Sequence, residues 1–264
     1  VNRLKTFFFL VGIGLFSLAC EGPDNSPKAL VNVLLVDAPA RWDSVVVEIQ
    51  GVEIDFVQSG RQGEIQKIWM PYEPAKKTIN LSVLVNGTAL TVSRKEFPLG
   101  QITAITLKLG TSHALYQGDT RYPLTLPSDI TDYSQSLKVN LDAGISYDLV
   151  LDFDLEKSIR VTQTSPLKLA YTPTIQAYTS IGRSELNGTV FPTDIKPAIY
   201  AISGRDSVST HTNSSGAFLF RLSPGLYTLY IDPKDNRFAT DTLFNVEVKT
   251  DQRTTLDRIT LSRR

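Results

Sequence analysis

Acidic residues supply the densest candidate chemistry in this chain. Asp148, Asp152, Asp154 and Glu156 alternate with Tyr147, Leu149, Leu151, Phe153 and Leu155, so period-two geometry puts the acids on one strand face and the apolar residues on the other. Clustered carboxylates are what a hard cation such as calcium takes as ligands, and Asp152 and Asp154 are the alternative metal pair. The alternation itself predicts a simpler outcome, an acidic face solvated by water with no metal and no cofactor. The two histidines, His113 and His211, lie far apart in sequence beside turn-like residues, with no nucleophile motif or His/Cys spacing around either. That pattern is read as non-catalytic. Trp42, Trp69, Tyr72 and Tyr116 would stack on sugar rings if exposed together.

Two further features concern modification. Asp43-Ser44-Val45, Asp206-Ser207-Val208 and Asp241-Thr242-Leu243 resemble a short bacterial O-glycosylation signal, which makes Ser44, Ser207 and Thr242 candidate acceptors. Cys20 is the only cysteine, so no internal disulfide can form and the thiol needs another explanation. It follows Arg3 and Lys5 and an apolar run from Phe7 to Leu18. A transmembrane helix needs roughly 20 apolar residues, and this shorter run suits the apolar region of a signal peptide. Ser17-Leu18-Ala19-Cys20 resembles the lipobox of bacterial lipoproteins, with Ser17 where that pattern usually has Leu. The resemblance implies cleavage after residue 19, lipid on Cys20, and a chain tethered to the cell envelope at the outer membrane. Residues 20–28 read as the tether, because the segment has two prolines and a glycine and little apolar surface to bury.

These features must be carried by β structure. From Ala29 onward runs of Val, Ile, Leu, Thr and Tyr are broken by Gly, Pro, Asn and Asp, the signature of an all-β chain. In Val45–Phe56 the apolar set moves from Val45, Val47 and Ile49 to Val52, Ile54 and Phe56, so the parity flips at Gly51 and predicts a bulge there. Strands are also expected at 64–70, 89–92, 104–109, 136–141, 147–155 and 167–171. One short helix is expected at Ile79–Val85, stopped by Asn86-Gly87. Near the C-terminus, Phe218, Phe220 and Leu222, then Pro224-Gly225, then Tyr227, Leu229 and Ile231 read as a hairpin with its inner face specified.

Two longer resemblances follow. VDAPARWDSVVVEIQGVEI (36–54), INLSVLVNG, FPLGQITAITLKLG and DFDLEKSI resemble a domain of unknown function found in bacterial lipoproteins, which implies a β-sandwich over 29–181. LNGTVFP, HTNSSGAFLFRLSPGLYTLYI and FNVEVKTDQRTTLDRITL resemble the carboxypeptidase regulatory-like domain, which implies a seven-stranded transthyretin-like sandwich over 185–264. Gly182-Arg183-Ser184 is the expected boundary. The 27 basic and 27 acidic side chains cancel, so no overall field favours nucleic acid.

The reading is therefore two β-sandwiches in series after a signal peptide, forming a non-catalytic envelope lipoprotein that binds or supports a protein or carbohydrate. The rival readings are a carbohydrate-binding surface lipoprotein, an adhesin or assembly subunit, or an unrecognised enzyme. Strand exchange by an adhesin needs an exposed apolar edge, which Lys249, Asp251 and Arg253 discourage.

Overall fold

A computed structural model describes residues 26–37, 42–61, 63–84 and 88–264. Cys20, the signal segment, most of the tether and the expected helix stop at Asn86-Gly87 lie outside the described residues. The chain is almost wholly β and builds two sandwiches, each around its own apolar core.

In the first sandwich one sheet has the order β13-β10-β1-β5. Its strands are β1 (Lys28–Asp37), β5 (Leu90–Pro98), β10 (Ser146–Phe153) and β13 (Ile175–Thr179). β1 and β10 run parallel, and the other pairs are antiparallel. The facing sheet is centred on β2 (Ser44–Gln58), which pairs with β6 (Gly100–Leu109) and β7 (His113–Gln117). β9 (Asp132–Leu141) and β8 (Thr120–Leu124) extend it outward, while β3 (Gln66–Pro71) and β4 (Thr78–Asn80) also pair with β2. Val31, Val33 and Leu35 of β1 close against Val45, Val47, Ile54 and Phe56 of β2 in one core, where all are fully buried. β11 (Ile159–Thr164) and β12 (Leu167–Tyr171) form a separate two-stranded ribbon.

The expected flip in β2 occurs where Gly51 stands. The register with β6 slips between Ile49 and Gly51, and burial passes from Val45, Val47 and Ile49 to Val52, Ile54 and Phe56. Gly51 has φ +151°, and a Cβ there would lie 2.5 Å from the Met70 carbonyl oxygen and 2.8 Å from the Pro71 Cα. The expected helix at Ile79–Val85 is replaced by the end of β4 and one 3-10 turn, Leu81–Val83, whose entry Asn80 caps by accepting from the Ser82 N–H. The α-helical turn, α1, is instead Leu155–Ser158, beginning on the last residue of the expected strand 147–155. Asp154 starts it by accepting from the Lys157 N–H at 3.0 Å, so β10 stops at Phe153.

The second sandwich has three strand positions against four. β14 (Ser184–Phe191) lies between β17 (Ala217–Leu222) and an interrupted strand made of β20 (Arg253–Thr255) and β21 (Ile259–Thr260). The facing sheet has the order β16-β15-β18-β19, from β15 (Ala198–Ser203), β16 (Asp206–His211), β18 (Gly225–Asp232) and β19 (Asp241–Val248). With β20 and β21 counted as one position, this is the expected seven-stranded arrangement. The expected β17–β18 hairpin is corrected: β17 pairs with β14 and β18 with β15 and β19, so Pro224-Gly225 carries the chain from one sheet to the other. Phe218, Phe220 and Leu222 face Leu229 and Ile231 across the core. Alternation specifies an inward face, and it is the same whether two strands lie side by side or opposed.

Gly51→Ala is expected to lower stability by about 2 kcal/mol or more, because neither the backbone angle nor the Met70 carbonyl accommodates a methyl group. Urea unfolding of the full chain checks this; a loss below about 0.5 kcal/mol would show that the bulge tolerates a side chain.

Candidate functional site

Three of the charged or titratable groups that the sequence singles out, Asp154, Glu156 and His211, meet at the seam between the two sandwiches. Up to Phe153 the alternation is as expected: Tyr147, Leu149, Leu151 and Phe153 are buried in the first core, and Asp148, Val150 and Asp152 point the other way. Asp148 accepts a hydrogen bond from Asn32 at 2.8 Å. The expectation of a continuous solvated acidic face fails beyond that point. The helical turn resets the parity, and Asp154, only 3% exposed, is turned onto β16 of the second sandwich. Its carboxylate accepts from the Ser209 hydroxyl at 2.5 Å and the Ser209 N–H at 3.2 Å. Lys157 lies 3.5 Å from the same group and donates to the Ser207 carbonyl.

Glu156, two residues on, forms the second half of this latch. It accepts from His211 Nε2 at 2.8 Å, Lys234 Nζ at 2.8 Å and the Tyr200 hydroxyl at 3.0 Å, all from the second sandwich. His211 is 1% exposed, and its Nδ1 meets the Lys196 carbonyl at 3.0 Å. Lys234 also pairs with Asp232 at 3.0 Å. Burial opposes charge on Glu156, but the hydrogen bonds and charges of His211 and Lys234 outweigh it and hold the carboxyl down at about 2. On Lys234 burial is likewise outweighed, here by Glu156 and Asp232, and its ammonium is held above the usual lysine range. Burial, reinforced by Glu156, pushes the Tyr200 hydroxyl up to about 12.

Asp152 is half-buried, and its carboxyl is pushed up to about 7 by burial and by Asp154, with Arg221, Arg183 and Lys157 pulling the other way. Among the described residues no three His, Cys, Asp or Glu side chains converge as a metal group. Asp154's oxygens are occupied by Ser209 and the α1 backbone. His113 belongs to the first sandwich, far from His211 in role: it accepts from the Glu48 N–H and its other nitrogen meets the Gly110 carbonyl at 2.9 Å. Burial pushes its ring below the usual range, against the Gly110 contact.

The four aromatics do not assemble. Trp42 and Tyr72 are buried in the first core, Tyr116 is half-buried, and Trp69 is exposed on β3. Ser44, Ser207 and Thr242 are each partly exposed at or beside the start of a strand, β2, β16 and β19. Ser209, Tyr200, Lys234 and the pairing role of Glu156 escaped the sequence reading. Asp154 followed by Leu-Glu-Lys is a helix-start pattern that could have exposed the turn; nothing local marks Tyr200 or Lys234 as its partners.

Because the Glu156 carboxyl is held below its ordinary 4.5, its contribution is present above pH 4.5 and lost as pH falls toward about 2. The wild type is therefore expected to exceed Glu156→Gln by up to roughly 3 kcal/mol at neutral pH. That margin should shrink between pH 4.5 and 2. Paired denaturant melts across this range check it, and a margin independent of pH would mean that the charge of Glu156 is not what closes the seam.

A family model described as a domain of unknown function, DUF4382, matches residues 28–170. No curated protein matches the chain. Among solved structures, the Bacillus anthracis TIE protein is 10% identical with TM-score 0.25, the match covering 100% of this chain and 45% of that one. A putative adhesin from Bacteroides ovatus ATCC 8483 is 7% identical with TM-score 0.25, covering 93% and 98%. The fimbrial anchor protein Mfa2 from Porphyromonas gingivalis is 9% identical with TM-score 0.20, covering 76% and 77%. This chain thus spans less than half the length of the TIE protein, and TM-scores this low do not bear on function. The matched segment contains the whole of β1 to β11 and the acidic half of the seam, and by that match the chain belongs to the DUF4382 family.

Proposed function

We propose that this protein is a non-catalytic module of the bacterial cell envelope, anchored by lipid on Cys20 and built as one stiff arm of two sandwiches that binds or supports a partner. The observation that carries the reading is the use made of the seam's ionisable groups. Of the groups from which a hydrolytic site would be assembled, Glu156, His211 and Lys234 are spent on each other across the seam and Asp154 on Ser209. Each is held by at least one partner from the opposite sandwich, which suits a spacer that transmits position and does not suit a reaction cycle in which groups exchange protons with substrate. The C-terminal sandwich, with its resemblance to carboxypeptidase regulatory-like domains, fits the same accessory role.

The stiff arm makes a measurable demand. Nuclear relaxation of the full chain should give both sandwiches one rotational correlation time at neutral pH, and the double variant Asp154→Ala, Glu156→Ala should let them tumble separately with both folds intact. Separate tumbling of the wild type would remove the basis of the proposal. The anchor is tested apart from this: the Cys20→Ser protein is expected to leave the detergent phase in phase partitioning, and unchanged partitioning would reject lipid at that residue.

A further inference from the structure

A cleft of about 600 Å³, within the range of about 300–1,000 Å³ usual for small-molecule sites, is lined by residues of both sandwiches and by none of the latch. Its floor is apolar and comes from the outward face of the first sandwich. Val36 and Val150 are buried there with Tyr178, apart from both main cores, and Leu34 lines the cleft beside them. The outer face of a sandwich sheet is normally wet, so buried valines on it require a separate account.

The rim is cationic and comes from the boundary and the second sandwich. Arg183 stacks over the Tyr178 ring, 4.5 Å from its centroid, and no carboxylate among the described residues lies within ion-pair distance of it. Arg221 approaches Glu185 only at 3.8 Å, because Glu185 is engaged by Arg253 at 2.5 Å. Three guanidiniums therefore meet two rim carboxylates, Glu185 and Asp251. A third acid, Asp152, lies within electrostatic reach of Arg183 and Arg221. Ser184, 2% exposed, borders the cleft where β14 begins.

We propose that this cleft binds a small apolar carboxylate, its tail on Leu34, Val36, Val150 and Tyr178 and its head between Arg183 and Arg221. The guanidinium fork matches a carboxylate in shape, and Arg183, with no carboxylate within ion-pair distance among the described residues, is the fork open to it. The site rests on reading the chain as a binding module and is independent of its anchor and its stiffness. Loss of the site would leave both of those measurements unchanged.

Isothermal titration of the full chain with octanoate, 1-octanol and acetate tests the proposal. Octanoate is expected to bind saturably at one site, with the alcohol of equal chain length and the tail-less acetate each at least tenfold weaker. Arg183→Gln and Arg221→Gln should each weaken octanoate about tenfold with an unchanged melting temperature. Equal binding of 1-octanol, or octanoate binding that survives both substitutions, would overturn it. The comparison of octanoate with 1-octanol needs no variant, so it decides the matter even if a substitution unfolds the protein.

Discussion

Two carboxylates taken out of water at one turn, Asp154 and Glu156, are the constraint on which the arrangement of this protein depends. A buried charge loses several kcal/mol of hydration and is tolerated only where hydrogen bonds and opposite charge replace it. Neither sandwich can provide the replacement alone. The acids sit on α1, while Ser209, His211, Tyr200 and Lys234 belong to the second sandwich. The requirement is reciprocal, since His211 is as deeply buried as Asp154 and its nitrogens face Glu156 and the Lys196 carbonyl. Docking satisfies both sides, and separation would strand polar groups on both.

The placement of Arg183 ties the latch to the cleft. It lies at the boundary between the sandwiches, rests on Tyr178 of β13, and acts together with Arg221 on Asp152 of β10. Asp152 in turn is two residues from Asp154. The apolar cleft floor and the charged latch are thus successive positions along the end of one strand, separated by the point where β10 gives way to α1.

Local order was legible in the sequence wherever a single strand's own pattern determines it. The flip at Gly51 could be read because glycine and a parity change coincide, and the inward faces of β10, β17 and β18 follow from alternation alone. What failed were statements about neighbours. β17 and β18 have the alternation of a hairpin and the pairing of opposed strands, because a period of two records a residue's face and not its sheet. The acids were misplaced for a related reason: alternation was continued past Phe153, across an Asp that caps a helical turn. Of the seam, the acidic half stood out by composition, whereas Tyr200 and Lys234 are scattered along separate elements and are united only by the docking of two folded bodies.

The parallel pairing of β1 and β10 brings residues over a hundred positions apart into register, from Leu30 with Ser146 to Asp37 with Phe153, while β5 grips the other side of β1 from Lys28 with Pro98 to Leu35 with Leu90. β1 is also where the sandwich begins. A force drawn along the chain at Lys28 would therefore slide β1 lengthwise between two neighbours, loading many hydrogen bonds at once, whereas a strand peeled from an edge gives way one bond at a time. Resistance of that kind is a matter of unfolding rate more than of equilibrium stability, and it belongs to the first strand of the sandwich, gripped along both its edges.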